Sequence, residues 1–176
     1  MRTLLIGGAR SGKSALALRW ANERAKSVCA LVTATESDAE MSARIAAHRR
    51  ERPSHWHVRE EPVHLGRALR EEATSGECIL VDCLTLWISN CLWGMPSDTA
   101  DYPTWTRERA EFLDALAACP TDVLIVTNET GTGIVPANAA SRVFRDEQGW
   151  LNQLVAAVCD EVYFVTAGLP LRLKPA

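Results

Sequence analysis

The 176 residues suit one domain, long enough to bury most of its apolar surface without disulfides or a structural metal. Apolar residues make up 47% and charged residues 23%, the usage of a soluble globular protein, which excludes disordered and fibrous classes. With 19 Lys and Arg against 22 Asp and Glu the net charge is −3, so no global basic field points to nucleic acid and any phosphate binding must be local.

The first residues, Met1 to Ile6, form a short apolar run that breaks at Gly7 and reads as a strand rather than a signal peptide. No window reaches the ~18 continuous apolar residues of a membrane span. A cytoplasmic protein is expected. Cys29, Cys78, Cys83, Cys91, Cys119 and Cys159 show no C-x-x-C pair and read as buried thiols of a reducing compartment.

In chain order, Thr3–Ile6 is the first expected strand and Lys13–Lys26 the first helix. Between them, Gly7-Gly8-Ala9-Arg10-Ser11-Gly12-Lys13-Ser14 fits G-x-x-x-x-G-K-[ST] in the strand-to-helix context that the motif requires. Glycines let successive amides turn toward phosphate oxygens, and the positive end of the helix adds to the attraction. Lys13 is expected at the β- and γ-phosphates and the Ser14 hydroxyl on Mg²⁺.

Val28–Val32 is the next apolar strand, and Ser37–Arg52 the second helix, opened by the capping box Ser37-Asp38-Ala39-Glu40 and stopped by Pro53. Met41, Arg44, Ile45 and His48 share one face of that helix. His48, followed by Arg49, Arg50 and Arg52, combines a nucleophilic nitrogen with anion-binding cations, which also disfavour imidazolium. The residues alone leave a solvated helical face as the competing reading. His55 and His57 flank Trp56, with no cysteine or carboxylate at a ligand interval beside them, and read as strand decoration rather than a zinc site.

His64–Thr74 is an amphipathic helix, and Cys78–Val81 a buried strand that delivers Asp82 at its end. Asp82 is the acid that holds Mg²⁺, the N-cap of the helix Leu84–Leu92, or both together. Gly94–Pro103 reads as a loop, Thr104–Ala118 as a helix, Asp122–Thr127 as a strand, Asn152–Val158 as a helix and Glu161–Thr166 as the last strand. Asn128, Glu129 and Gly131–Pro136 then fall at the carboxyl edge of the sheet, as ligand contacts or as a tight glycine turn. Leu86-Trp87-Ile88 and Leu92-Trp93 read as core, with a subunit contact or ligand wall as the alternative. The alternation gives an α/β fold, P-loop NTPase-like, with a mainly parallel sheet and helices on both faces, residues 1–176 forming one catalytic domain.

The sequence resembles the bifunctional adenosylcobinamide kinase / adenosylcobinamide-phosphate guanylyltransferase family of cobalamin biosynthesis. The resemblance spans nearly the whole chain. It rests on the phosphate loop, Glu40-Met41-x-x-Arg44-Ile45-x-x-His48-Arg49, Arg52-Pro53, Asp82-Cys83-Leu84-Thr85, Thr127-Asn128-Glu129, Gly131-x-Gly133-Ile134-Val135-Pro136, Phe144-Arg145-Asp146, Gly149, Asn152-Gln153 and Ala167-Gly168-Leu169-Pro170. Thr130 stands where the family pattern has valine. The resemblance implies phosphorylation of adenosylcobinamide by ATP or GTP, then transfer of GMP from GTP through a guanylylated histidine, by position His48. It implies nucleotide contacts from Gly7, Gly8, Ala9, Arg10, Ser11, Gly12, Lys13, Ser14, Thr33, Ala34, Thr35, Arg49, Arg50, Glu51, Arg52, Glu60 and Asp82, with Ser14 and Asp82 on Mg²⁺. Arg52 is the preferred phosphate contact of the three nearby arginines. A homo-oligomer is expected, since one small domain offers little surface to enclose a corrin.

Overall fold

The computed structural model describes residues 1–35, 45–46, 49–75, 78–94 and 99–175. Its strands form one seven-stranded sheet, in the order β3-β2-β4-β5-β1-β6-β7. They are β1 (Arg2–Gly7), β2 (Val28–Val32), β3 (His57–Glu60), β4 (Cys78–Asp82), β5 (Val123–Asn128), β6 (Glu161–Thr166) and β7 (Leu169–Lys174). Every pairing is parallel except β6 with β7. The helices are α1 (Lys13–Arg24), α2 (Leu65–Glu72), α3 (Leu84–Trp93), α4 (Tyr102–Ala118) and α5 (Ala139–Val158).

The central strands carry continuous apolar runs because both faces of the sheet are covered. All five residues of β2 are buried. Its Cys29 and Leu31 face a core shared with α2 to α5, while Val28 and Ala30 face Leu16, Ala17 and Ala21 of α1. On the larger side the Trp87 ring packs edge-on against Trp105 at 5.2 Å and tilted against Phe112 at 5.1 Å. All three are fully buried, and truncating any one to alanine would cost roughly 3–5 kcal/mol.

The sheet's amino-terminal edge is tied by charge. Asp160 accepts from both the amide and the guanidinium of Arg2, each at 2.7 Å, which holds its carboxyl down at about 2. A carboxyl whose folded value is depressed stabilises the fold above the unfolded value of about 3.9, and that contribution is lost as pH falls toward 2. In an acid titration followed by circular dichroism, Asp160→Asn should therefore lose part of the protein's loss of stability between pH 4 and 2.

Four sequence expectations need correction. The helix read as Asn152–Val158 runs from Ala139, because Asn138 caps it by accepting from the Ser141 amide at 2.7 Å, and Gly149 does not interrupt it. Pro103, read as loop, lies in the first turn of α4, where its missing N–H costs nothing. The edge strand β7 was not foreseen; Pro170 and exposed alternate leucines hide it from a burial-based reading. His55 lies in a turn ahead of β3, and only His57 is on the strand. In the second expected helix, 45–46 and 49–51 are helical, while Ser37 to Arg44 and His48 lie outside the described residues, as do 95–98 of the Gly94–Pro103 loop. Among the described residues, no helix is long and apolar enough to cross a membrane.

Candidate active site

The phosphate loop leaves β1 at the carboxyl edge of the sheet, in the middle of the strand order, where open α/β sheets bind ligands. Gly7 has no room for a side chain, since a Cβ there would lie 2.4 Å from the Val165 carbonyl oxygen. Gly12, the N-cap of α1, has φ 94°, and its Cβ would meet the Gly168 Cα at 2.9 Å. Only glycine meets both demands. The Gly168 amide donates to the Ser11 carbonyl at 2.8 Å, so the β6–β7 turn braces the loop from behind. Lys13 is buried, its Nζ donating to the Gly8 carbonyl at 3.0 Å, which folds the ammonium back over the loop.

A cavity of about 230 Å³ opens in front of it. Lys13, Ser14, Arg52, Asp82, Thr85 and Asn128 give it polar groups, and Val32, Ala34, Ile45, Leu86 and Val126 an apolar wall. Asp82 ends β4 between Val32 and Val126. Its Oδ2 accepts from the Arg52 guanidinium at 2.7 Å, with the Arg52 side chain 4% exposed. Cys83, not Asp82, is the N-cap of α3, so the capping alternative for Asp82 is not realised. Burial, then the neighbouring Asp82, push the Cys83 thiol up to about 11. It stays protonated near neutral pH and is no nucleophile there.

The expected contacts divide. Lys13, Ser14, Ala34, Arg52 and Asp82 come together on the cavity, while Gly7, Gly8, Ala9, Arg10, Ser11 and Gly12 do not line it. Thr33 is fully buried and works from behind: its hydroxyl donates to the Cys83 carbonyl at 2.6 Å and accepts from the Cys83 amide at 3.0 Å. Thr35, Arg49, Arg50, Glu51 and Glu60 are exposed and do not line the cavity; Arg49 pairs with Glu60 instead. Trp87, Ile88 and Leu92 are core, while Leu86 turns to the cavity.

The residue reading gave no role to Cys83, Thr85, Gln148 or Asn152. The Thr85 hydroxyl accepts from the Asn128 amide at 2.9 Å, and Asn152 donates to the Asn128 carbonyl at 3.0 Å. Gln148 and Thr127 complete this buried cluster, both bonded to the Asn152 side-chain oxygen, at 3.0 and 2.9 Å. The polar pair Gln148 and Asn152, one turn apart inside an apolar helix face, was the available signal.

Comparison with known proteins gives the family. Residues 3–173 match the family described as cobinamide kinase / cobinamide phosphate guanyltransferase. The bifunctional adenosylcobalamin biosynthesis protein CobP of Pseudomonas aeruginosa is 48% identical over 174 residues, 99% of this chain and 98% of that one. The bifunctional adenosylcobalamin biosynthesis protein CobU of Salmonella typhimurium is 37% identical over 182 aligned positions, 99% of this chain and 100% of that one. Among solved structures, an ATPase of a bacterial type III secretion system superposes with a TM-score of 0.54 at 10% identity, over 97% of this chain and 56% of that one, a likeness of fold alone. The chain belongs to the cobinamide kinase / cobinamide phosphate guanyltransferase family.

Proposed function

We propose that residues 1–176 act as a single cytoplasmic catalytic domain that phosphorylates adenosylcobinamide with ATP or GTP. It then transfers GMP from GTP to adenosylcobinamide phosphate through a guanylylated His48, giving adenosylcobinamide-GDP and pyrophosphate. One observation carries the reading: the phosphate loop, Asp82 and Arg52 meet on a single cavity in a chain of this family. In the first step the substrate hydroxyl oxygen attacks the γ-phosphorus, its bond to the β-bridging oxygen breaks, and the hydroxyl proton passes to solvent. Lys13 and the loop amides stabilise the charge in flight. In the second, a His48 nitrogen attacks the α-phosphorus and pyrophosphate departs into the same loop. An oxygen of the cobinamide phosphate then displaces histidine by breaking the P–N bond.

Ile45 and Arg52 stand three residues before and four after His48, and both line the cavity, which supports assigning His48 to it. Ser14 and Asp82 are oxygen donors of the kind Mg²⁺ takes, and both line the cavity, so they fit that ion. Bound there, Mg²⁺ would offset phosphate charge. Arg52, held by Asp82, would offer a cation to the bound triphosphate.

The test is GTP labelled separately at the α- and γ-phosphates, followed by denaturation. Acid-labile, alkali-stable label from the α position, lost in His48→Ala, is the expected result. Active protein that takes no α-label yet phosphorylates cobinamide is a kinase with an inert His48. Nucleotide turnover without any cobinamide product would sink both steps.

Self-association is part of this reading. Leu169, Leu171 and Leu173 alternate along the outer strand β7, 70%, 60% and 50% exposed. Leu171 pairs with Phe164, on the face toward α5, whose Trp150 and Leu154 are also exposed. Such an apolar edge favours a second copy over water. Leu171→Arg should shift the protein to a smaller species in sedimentation velocity; a wild type that sediments as a monomer would remove the interface.

A further inference from the structure

Away from the cavity, three side chains from three elements converge on the sheet face covered by α2. Cys29 on β2 and His57 on β3 are register partners, and Glu72 is the last residue of α2. The Cys29 Sγ, a His57 ring nitrogen and a Glu72 carboxylate oxygen all lie within 4.8 Å of one another. We propose that Cys29, His57 and Glu72 form a binding site for a thiophilic divalent cation, Zn²⁺ foremost.

Zinc bonds of about 2.0–2.3 Å in a tetrahedron put ligand atoms roughly 3.3–3.8 Å apart. The His57 Nε2 and Glu72 Oε2 already stand at 3.8 Å. Cys29 is fully buried on a central strand, a fixed inner ligand, whereas the His57 side chain is 57% exposed and can adjust while giving the ion a way in. Thiolate, imidazole and carboxylate make a mixed set suited to zinc, with water in the fourth position.

The surroundings favour a cation. Glu72 gives Oε1 to Arg59 at 3.0 Å and turns Oε2 toward His57. Arg59 is also held by Glu71 at 2.6 Å, and Glu61 lies 3.9 Å from both Arg59 and Arg67. Three carboxylates against two guanidinium groups leave one negative charge. Binding adds a second: the Cys29 S–H bond breaks, its proton passes to solvent, and the S–Zn bond forms. The ligands are far apart in sequence, so the histidine pair taken alone gave no sign of them.

Co²⁺ titrated into the reduced, chelator-treated full chain reports a thiolate ligand by a sulfur-to-cobalt charge-transfer band. The expected result is one band saturating at one equivalent, displaced by Zn²⁺, with about one proton released per ion. Since Cys29→Ser sits in the core and could unfold the chain, the deciding variants are His57→Ala, at an exposed side chain, and the near-isosteric Glu72→Gln. Each should lose the band, and Zn²⁺ should raise the melting temperature of the wild type but not of His57→Ala. Ser14→Ala should keep the band, which separates the site from the phosphate loop. Absence of a band in the wild type, or a band that survives His57→Ala and Glu72→Gln, overturns the site.

Discussion

Lys13→Ala is expected to lower kcat/KM for cobinamide phosphorylation and for GMP transfer together, each by roughly a hundred- to a thousandfold, the usual cost of removing one preorganised charge at a reacting group. The shared loss follows from one loop serving both steps. On the proposed mechanism it would hold the phosphoryl group that moves in the first, and the pyrophosphate that leaves in the second. His48→Ala, by contrast, should stop GMP transfer and spare phosphorylation. Lys13 is buried and bonded to the Gly8 carbonyl, a hydrogen bond of about 1 kcal/mol that the alanine variant also gives up. A far-ultraviolet melt separates the two effects: near-native melting with both activities lost is the expected outcome. Retention of GMP transfer in Lys13→Ala would mean that the two reactions use different phosphate sites.

Much of this was legible in the sequence because its signals are local. The phosphate loop needs only its neighbours, a strand before and a helix after, to be read. The inner strands announce themselves by continuous apolar runs, and the five expected strands are all in the sheet. Elements with one dry face or none carried no such signal: β3 and β7 lie at the two edges, and the first turns of α5 are largely exposed. The cavity was harder still. Arg52 and Asp82 were each named, but their 2.7 Å pairing joins residues 30 apart in the chain, and no periodicity encodes it. The same holds for the Thr33 hydroxyl, which the family resemblance implied as a nucleotide contact and whose partner is the backbone of Cys83.

Two glycines in helices show how far tertiary contact overrides local preference. In an isolated helix, Gly→Ala stabilises by about 1 kcal/mol, because alanine has less backbone entropy to lose. Gly149, in α5, should follow that rule: a Cβ there meets nothing within 4 Å, so Gly149→Ala is expected to raise stability by up to about 1 kcal/mol. Gly66, in the first turn of α2, should reverse it. Its Cβ would lie 2.7 Å from the Glu111 carbonyl carbon and the Phe112 amide nitrogen of α4, atoms that cannot rotate away. The helices must separate, and α4 carries Trp105 and Phe112 into the Trp87 cluster. Overpacking of this kind costs about 1–3 kcal/mol or more, enough to outweigh the propensity gain. Gly66→Ala is thus expected to lose about 2 kcal/mol net, a fall of roughly 4–8 °C in Tm for a chain of this length. Both variants, melted side by side by calorimetry, should move in opposite directions. A Gly66→Ala protein as stable as the wild type would mean that α2 and α4 are not in backbone contact, and that the core beneath them is looser than described.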